Sequence, residues 1–275
     1  MTVSSIFNVF AELNRRYNKN GMSVMGGFCP ALVDSLPQAK GNFIKKDNTL
    51  LSSSAGISNE EAFIIHGLCE QVKPKNILII GNSYGFSTVF LALSNPDSNL
   101  LAFDKFRTEG IKVTNQVLSG LDNKLVVEGS TPDDISPLVQ KHFKGEKLDF
   151  VLIDAVHTNE MQIKEFNILK NLLSEQSVVV FHDVIKDDMI QSFELLKEEN
   201  KKFNFRLINK STTGLGVCFK SDVTKELRSY LDYFSIPENE VLDFLTLMLK
   251  SNDLRSQSFY KGIKSNLNFL PHPQK

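Results

Sequence analysis

Polar residues follow a series of short apolar segments in the middle of the chain. The first segment, ILII at 77–80, leads into the turn GNSYGFS at 81–87. Glycine lets the backbone bend sharply and approach a ligand, and the amides that open a following helix attract negative charge. The turn therefore predicts a ligand-binding loop, although a purely structural tight turn is the alternative. The candidate binding residues are Gly81, Asn82, Ser83, Gly85 and Ser87.

Four further apolar segments end in polar groups. They are LLAF followed by Asp104, LVV followed by Glu128, Gly129 and Ser130, DFVLI followed by Asp154 and His157, and SVVVF followed by His182 and Asp183. Asp104 lies about 20 residues after Gly81, the spacing at which an acidic residue contacts ribose hydroxyls in nucleotide-binding βαβ units. Taken alone, Asp104 has a solvated loop position as its alternative.

These segments alternate with helical patterns and predict an α/β fold. Strands are predicted at 77–80, 100–103, 125–127, 149–153 and 177–181. Helices are predicted to begin at 87 and near 135, and two further helices are predicted at 160–173 and 188–198. Short apolar strands separated by helices indicate a doubly wound, mostly parallel sheet covered on both faces. A closing hairpin of 205–209 and 216–220 adds two strands, which makes seven.

Helical segments extend the chain at both ends. Ser58 and Glu61 form a capping box that begins a helix stopped by Pro74. Three parts are predicted: an N-terminal helix with an irregular cap or lid at 1–57, a core at 58–221, and a C-terminal helical extension at 222–275, with helices at 225–234 and 238–249. The first helix should bury one apolar face, formed by Ile6, Phe7, Phe10, Leu13 and Tyr17.

Composition excludes several classes of protein. Lysine and arginine number 31 and aspartate and glutamate 32, so no net field favours a nucleic acid or an anionic membrane. The three cysteines lack the spacing of a zinc site or a disulfide framework and indicate a reducing compartment. The sequence shows no signal peptide and no apolar run long enough to span a membrane, so we expect a cytoplasmic protein.

Taken together, these motifs resemble the class I S-adenosylmethionine-dependent methyltransferases. The resemblance covers about 58–220 and is to the small-molecule O-methyltransferase branch that includes the catechol and caffeoyl-CoA enzymes. It rests on ILIIGNSYGFST, FD at 103–104, VVEGSTPDDISPL, LDFVLIDAVH and VVVFHDV. It implies that S-adenosylmethionine binds the 81–87 loop, Asp104, Gly129, Ser130 and Asp154, within a sheet of order 3-2-1-4-5-7-6 whose seventh strand is antiparallel.

The resemblance also implies roles in catalysis. His157 occupies the position of the proton acceptor beside Asp154, and Asp154, His182 and Asp183 stand where the metal-dependent branch holds a divalent ion, here Mg²⁺, Mn²⁺ or another first-row ion. Alternatively, His157 caps a loop, and His182 orients Asp183 or Asp154. Ile79 replaces an acidic residue common in the family, and Ser83 replaces the glycine that a nicotinamide-binding G-x-G-x-x-G motif requires.

The sequence thus predicts methyl transfer from S-adenosylmethionine to a hydroxyl of a small molecule, with metal assistance and a histidine base. The alternatives are a metal-independent N- or O-methyltransferase and a catalytically silent binding subunit. We also expect a homodimer, because apolar residues of the C-terminal extension exceed what the sheet needs. These residues are Leu231, Phe234, Val241, Phe244, Leu245 and Met248. The acceptor itself is not specified by the sequence.

Overall fold

The computed structural model describes residues 4–25, 42–47, 49–105, 108–211, 213–220, 224–237 and 240. Within them the strands are β1 Met22–Met25, β2 Asn42–Lys46, β3 Thr49–Ala55, β4 Asn76–Ile80, β5 Asn99–Asp104, β6 Lys124–Glu128, β7 Leu148–Ile153, β8 Leu173–Phe181, β9 Asn204–Ile208 and β10 Leu215–Phe219. The helices are α1 Ile6–Lys19, α2 Asn59–Val72, α3 Phe86–Ser94, α4 Thr108–Leu118, α5 Ile135–Phe143, α6 Asn159–Leu169, α7 Ile190–Glu199 and α8 Lys225–Phe234.

The central sheet has seven strands in the order β6-β5-β4-β7-β8-β10-β9. Strands β6, β5, β4, β7 and β8 are parallel, and β10 pairs antiparallel with both β8 and β9. Its inner strand β4 is fully buried, as expected for a parallel strand covered by helices on both faces. The predicted fold class and strand order are confirmed.

Successive side chains of β4 point to opposite faces of this sheet and enter two separate apolar cores. Ile77 and Ile79 belong to the core that also contains residues of α1, α2, α3, α4 and α8. Leu78 and Ile80 belong to the core that contains residues of α5, α6 and α7. Ile79, which stands where the resemblance places an acidic residue, is therefore a buried residue of the first core.

The N-terminal part differs from the irregular cap that the sequence predicts. β1, β2 and β3 form a separate antiparallel sheet, in which Met22 lies opposite Lys46 and Val24 opposite Ile44. Gly21, which the sequence analysis expects to interrupt regular structure, has a positive φ of 72° in the turn from α1 to β1. Phe7 is 77% exposed, so it does not share the buried face of α1 that holds Leu13 and Tyr17.

Two helices also differ from the sequence-based expectations. The helix predicted at 160–173 ends at Leu169, because Leu173 already pairs with Leu148 as the first residue of β8. A helix lies at 108–118, where the sequence analysis places none. Helix α8 matches its prediction, whereas the helix predicted at 238–249 lies, apart from residue 240, outside the described residues.

The C-terminal helix α8 packs on the protein's own core. Leu231 is 1% exposed and Phe234 contacts the first core, so neither is a free interface residue as expected. The Tyr230 hydroxyl donates to the Ile64 carbonyl at 3.0 Å, which ties α8 to α2. The other four proposed interface residues lie outside the described part of the chain. No described helix has the length and apolarity needed to cross a membrane.

Candidate active site

A cavity of about 660 Å³ opens at the carboxyl ends of β4 to β8, where ligands bind in open α/β sheets. The volume is in the range of small-molecule binding sites. Eleven of the predicted site residues line it: Gly81, Asn82, Ser83, Ser87, Asp104, Gly129, Ser130, Asp154, His157, His182 and Asp183. The topology thus brings together groups that are spread over about 100 residues of sequence.

The loop after β4 is held close to the neighbouring strands. Gly81 has a φ of 97°, and a Cβ there would lie 2.0 Å from the Asp154 carbonyl oxygen, so only glycine fits. The backbone amides of Asn82 and Ser83 donate to Asp104 Oδ2 at 2.9 and 2.8 Å. The Asp104 carboxylate therefore fixes the loop to the end of β5 while also lining the cavity.

Gly85, in contrast, is absent from the described cavity wall. It is the residue before α3, with a φ of 86°, and a Cβ there would lie 2.2 Å from Thr114 Oγ1. Close packing of the loop against α4 explains the glycine at this position. Its contact with a ligand stays a prediction.

His182 lies at the centre of a buried network of charged groups. Its Nδ1 is 2.9 Å from Asp154 Oδ1, and its Nε2 is 3.1 Å from Glu61 Oε2. Burial by itself lowers the pKa of His182, but the carboxylates of Asp154 and Glu61 outweigh this effect and hold the pKa well above its ordinary value. The imidazole is therefore a buried cation that joins the end of β8 to β7 and α2.

Glu61 is a site residue that the sequence analysis missed. Its carboxylate accepts from the Ser58 backbone amide, as the predicted capping box requires, and also from Thr213 Oγ1 at 2.7 Å. Burial raises the pKa of Glu61, but the adjacent His182 cation and the hydrogen bonds from Ser58 and Thr213 together bring it below its ordinary value. The capping pattern explained Glu61 from local sequence alone, and no sequence signal indicated the contact with His182.

His157 lies on the cavity wall among three carboxylates. Its Nε2 is 3.7 Å from Asp154 Oδ1, and its Nδ1 is 3.5 Å from Asp187 Oδ2 and 3.8 Å from Asp183 Oδ2. The side chain is 26% exposed, in contrast to the buried His182. These separations exceed ordinary hydrogen bonds, so the ring faces the cavity without a tight partner among these acids.

Lys186 and Asp187 are two further site residues that the sequence analysis missed. The Lys186 ammonium lies 2.6 Å from Asp183 Oδ2 and 3.8 Å from Asp187 Oδ2, and all three residues line the cavity. Burial raises the pKa of Asp183, but His182 and Lys186 together bring it below its ordinary value. Asp183 is therefore ionised and paired with a lysine of its own chain.

Comparisons with known proteins agree with this architecture. A family model described as a methyltransferase domain matches residues 78–184, the part of the chain that carries most of the cavity residues. Residues 78–184 are thus similar to a methyltransferase domain. It is also 26% identical over 134 residues to catechol O-methyltransferase B of Danio rerio, covering 47% of this chain. The chain thus spans about half the length, 50%, of this curated relative.

Solved structures of methyltransferases share this fold. An O-methyltransferase from Bacillus cereus in complex with SAH has a TM-score of 0.52 and 16% identity, covering 78% of this chain and 91% of that chain. The O-methyltransferase TomG from Streptomyces achromogenes in complex with SAM has a TM-score of 0.51 and 16% identity, with 80% and 92% covered. At this identity the likeness shows the fold alone.

The predicted metal ligands of the methyltransferase domain do not fit a divalent ion in this arrangement. A histidine ligand needs one ring nitrogen with a free lone pair, yet both nitrogens of His182 face carboxylate oxygens. The contacts agree instead with the alternative in which His182 orients Asp154. Another group of potential ligand atoms, from His157, Asp183 and Asp187, lies within 4.8 Å of one another, but Lys186 already pairs with two of its members.

Proposed function

We propose that this protein transfers the methyl group of S-adenosylmethionine to a hydroxyl group of a small molecule. The observation that carries the proposal is that the 81–87 loop, Asp104 and His157 line the same cavity. One end offers the groups expected to hold a nucleoside, and the other offers a proton acceptor. The fold and the catechol O-methyltransferase relative support the same assignment.

Asp104 and the 81–87 loop would hold the donor. Asp104 accepts two backbone amides through Oδ2, and a carboxylate has lone pairs enough to accept ribose hydroxyls as well. Gly129 and Ser130, at the end of β6, would contact the adenine edge. When bound, S-adenosylmethionine supplies an electrophilic methyl group on a sulfonium and leaves as S-adenosylhomocysteine.

His157 would take the proton of the acceptor hydroxyl. The acceptor oxygen then forms its new bond to carbon as the carbon–sulfur bond breaks, and the proton remains on the imidazole until it is released to solvent. The neighbouring Asp154, Asp183 and Asp187 carboxylates stabilise the imidazolium that this step creates. Ile44 of β2 lines the same cavity, so the N-terminal sheet contributes to the wall of the acceptor pocket.

Calorimetry with S-adenosylmethionine and S-adenosylhomocysteine tests the donor site. We expect both to bind, and we expect Asp104→Asn to weaken binding at least about tenfold, which corresponds to one charge-assisted hydrogen bond of ~1.5 kcal/mol. The amide keeps an acceptor for the loop amides, so the loop stays in place. Asp122→Asn, on an exposed loop before β6, is the matched control. Unchanged affinity in Asp104→Asn would contradict the ribose assignment.

Transfer of a labelled methyl group tests the acceptor class. A panel should include catechol, simple phenols, aliphatic alcohols and primary amines, because the name of the curated relative points to catechol while the cavity alone does not. Methylation of hydroxyl compounds would support the proposal, and methylation of amines alone would favour the N-methyltransferase alternative. Binding of S-adenosylmethionine with no transfer to any panel member would favour the silent binding subunit.

A further inference from the structure

Two cations of the same chain pair with acids that lie on or next to the cavity wall. Two side chains carry the positive charge: His182, between Asp154 and Glu61, and Lys186, beside Asp183. His182 and its partner carboxylates are at most 9% exposed. Buried charges of this kind are stable only when they are paired, and here each has a partner of opposite sign.

The hydrogen-bonding capacity of His182 is used up by its neighbours. A carboxylate oxygen only accepts hydrogen bonds, so both ring nitrogens must donate: Nδ1 to Asp154 and Nε2 to Glu61. An imidazole that donates through both nitrogens has no lone pair for a metal ion. The hydrogen bond from His182 Nδ1 also occupies Oδ1 of Asp154, which is itself a predicted metal ligand.

Lys186 has a comparable effect on Asp183. Its ammonium lies 2.6 Å from Asp183 Oδ2 and 3.8 Å from Oδ2 of Asp187, the next acid along the chain. A dication that approached Asp183 would meet this positive charge within a few ångströms. The repulsion between them is large wherever water is partly excluded. The lysine is 35% exposed and lines the cavity, so its ammonium also faces the space available to an acceptor.

Building on the proposed function, we propose that methyl transfer in this protein requires no divalent cation. The His182 imidazolium and the Lys186 ammonium supply the positive charge at the place where metal-dependent relatives would hold an ion. His182 is a positioning residue, since it fixes Asp154, whose Oδ1 lies 3.7 Å from His157 Nε2. Lys186 attracts the acceptor oxygen as that oxygen loses its proton to His157.

Titration of metal ions into the full-length protein tests this proposal without requiring turnover. Mn²⁺ and Mg²⁺, each added alone, should give no binding heat with the wild-type protein. Lys186→Met should gain Mn²⁺ binding, because the ligand atoms of His157, Asp183 and Asp187 then lack a competing cation. Lys197→Met, which removes an exposed lysine paired with Glu194 on α7, is the matched control and should stay silent.

The outcomes are distinguishable from a failure of the proposed function. Mn²⁺ binding by the wild-type protein, or loss of methyl transfer on chelation with recovery on adding the metal back, would overturn the proposal. A silent Lys186→Met variant would overturn the role assigned to Lys186. S-adenosylhomocysteine is titrated into the same samples. A failure to bind it would count against the methyltransferase function, whereas the metal result concerns only the charge arrangement.

Discussion

His157 is the residue whose proposed role depends most on its position. It is the partly exposed histidine of the cavity, while His182 is buried and fully engaged. If His157 takes the acceptor proton, His157→Ala should lower kcat by ~10² or more and leave the affinity for S-adenosylmethionine unchanged. Turnover and calorimetry on the same variant check this. His142→Ala, at the end of α5, serves as the control, and retention of most of the rate would demote His157 to a loop histidine.

Glu165 is a buried acid beside the cavity that predicts a pH dependence of stability. Burial on α6 raises its pKa to about 7, although the Thr131 hydroxyl donates to its carboxyl group. Between about pH 4.5 and pH 7 the folded protein thus keeps a proton that the unfolded chain releases. The free energy of unfolding should therefore fall as the pH rises through this range, by up to about 3 kcal/mol.

Glu165→Gln tests this dependence, because the amide keeps an acceptor for Thr131 and does not titrate. Urea unfolding at about pH 5 and about pH 8 should show that the wild-type protein loses more stability between the two values than the variant does. Glu160→Gln, at the exposed start of the same helix, should leave the wild-type difference nearly unchanged. An equal difference in wild type and Glu165→Gln would show that Glu165 is not protonated in the folded state.

At the scale of elements, the Glu61 carboxylate has two roles: it caps the start of helix α2, and it contacts His182. Ser58→Ala removes one side-chain cap and should cost about 1 kcal/mol of stability. Glu61→Gln also replaces the partner of a buried cation and should cost more, about 3 kcal/mol. Urea unfolding of both variants, with exposed Glu60→Gln as control, checks this order. Equal losses for the first two would mean that the pair with His182 adds nothing beyond the cap.

The sequence was sufficient to predict the central sheet, because each of its parallel strands contains a short apolar run that is followed by glycine or a polar residue. The capping box of Ser58 and Glu61 was sufficient to predict where α2 starts, and it is present in the structure. The N-terminal sheet was missed because β2 and β3, NFIKK and TLLSSSA, lack a clear alternation of apolar and polar residues. Their pairing depends on contacts between strands, which local patterns do not encode.

The predicted site was only partly complete for a similar reason. The ends of parallel strands fall at one edge of the sheet, so Asp104, Asp154 and His182 could be placed together from topology alone. Glu61 lies 121 residues from His182 and reaches it from a helix rather than from a strand end. Lys186 follows Asp183 in a polar segment that resembles an ordinary loop. Contacts of these kinds arise from packing and have no signature in residue spacing.

At the scale of the whole molecule, the predicted homodimer depends on surfaces outside the central sheet. Phe7, Phe63 and Tyr233 are 77%, 45% and 69% exposed. The ring of Phe63 lies 5.7 Å from that of Phe10 on α1, so α1 and α2 share an aromatic surface. We expect sedimentation velocity to show a dimer for the full chain, and Phe7→Ser/Phe63→Ser to shift it towards monomer. A wild-type protein that stays monomeric at all concentrations would contradict this prediction.

The doubly donating His182 has a consequence for spectroscopy. Its two ring N–H protons lie in strong hydrogen bonds to carboxylates, and the side chain is 3% exposed, so both should exchange slowly with solvent. Protons of this kind resonate far downfield in a proton NMR spectrum, away from the crowded amide region. Their partners come from α2 and β7, which only the folded chain brings together. The pair of signals would therefore report on the intact site in a sample that contains no substrate.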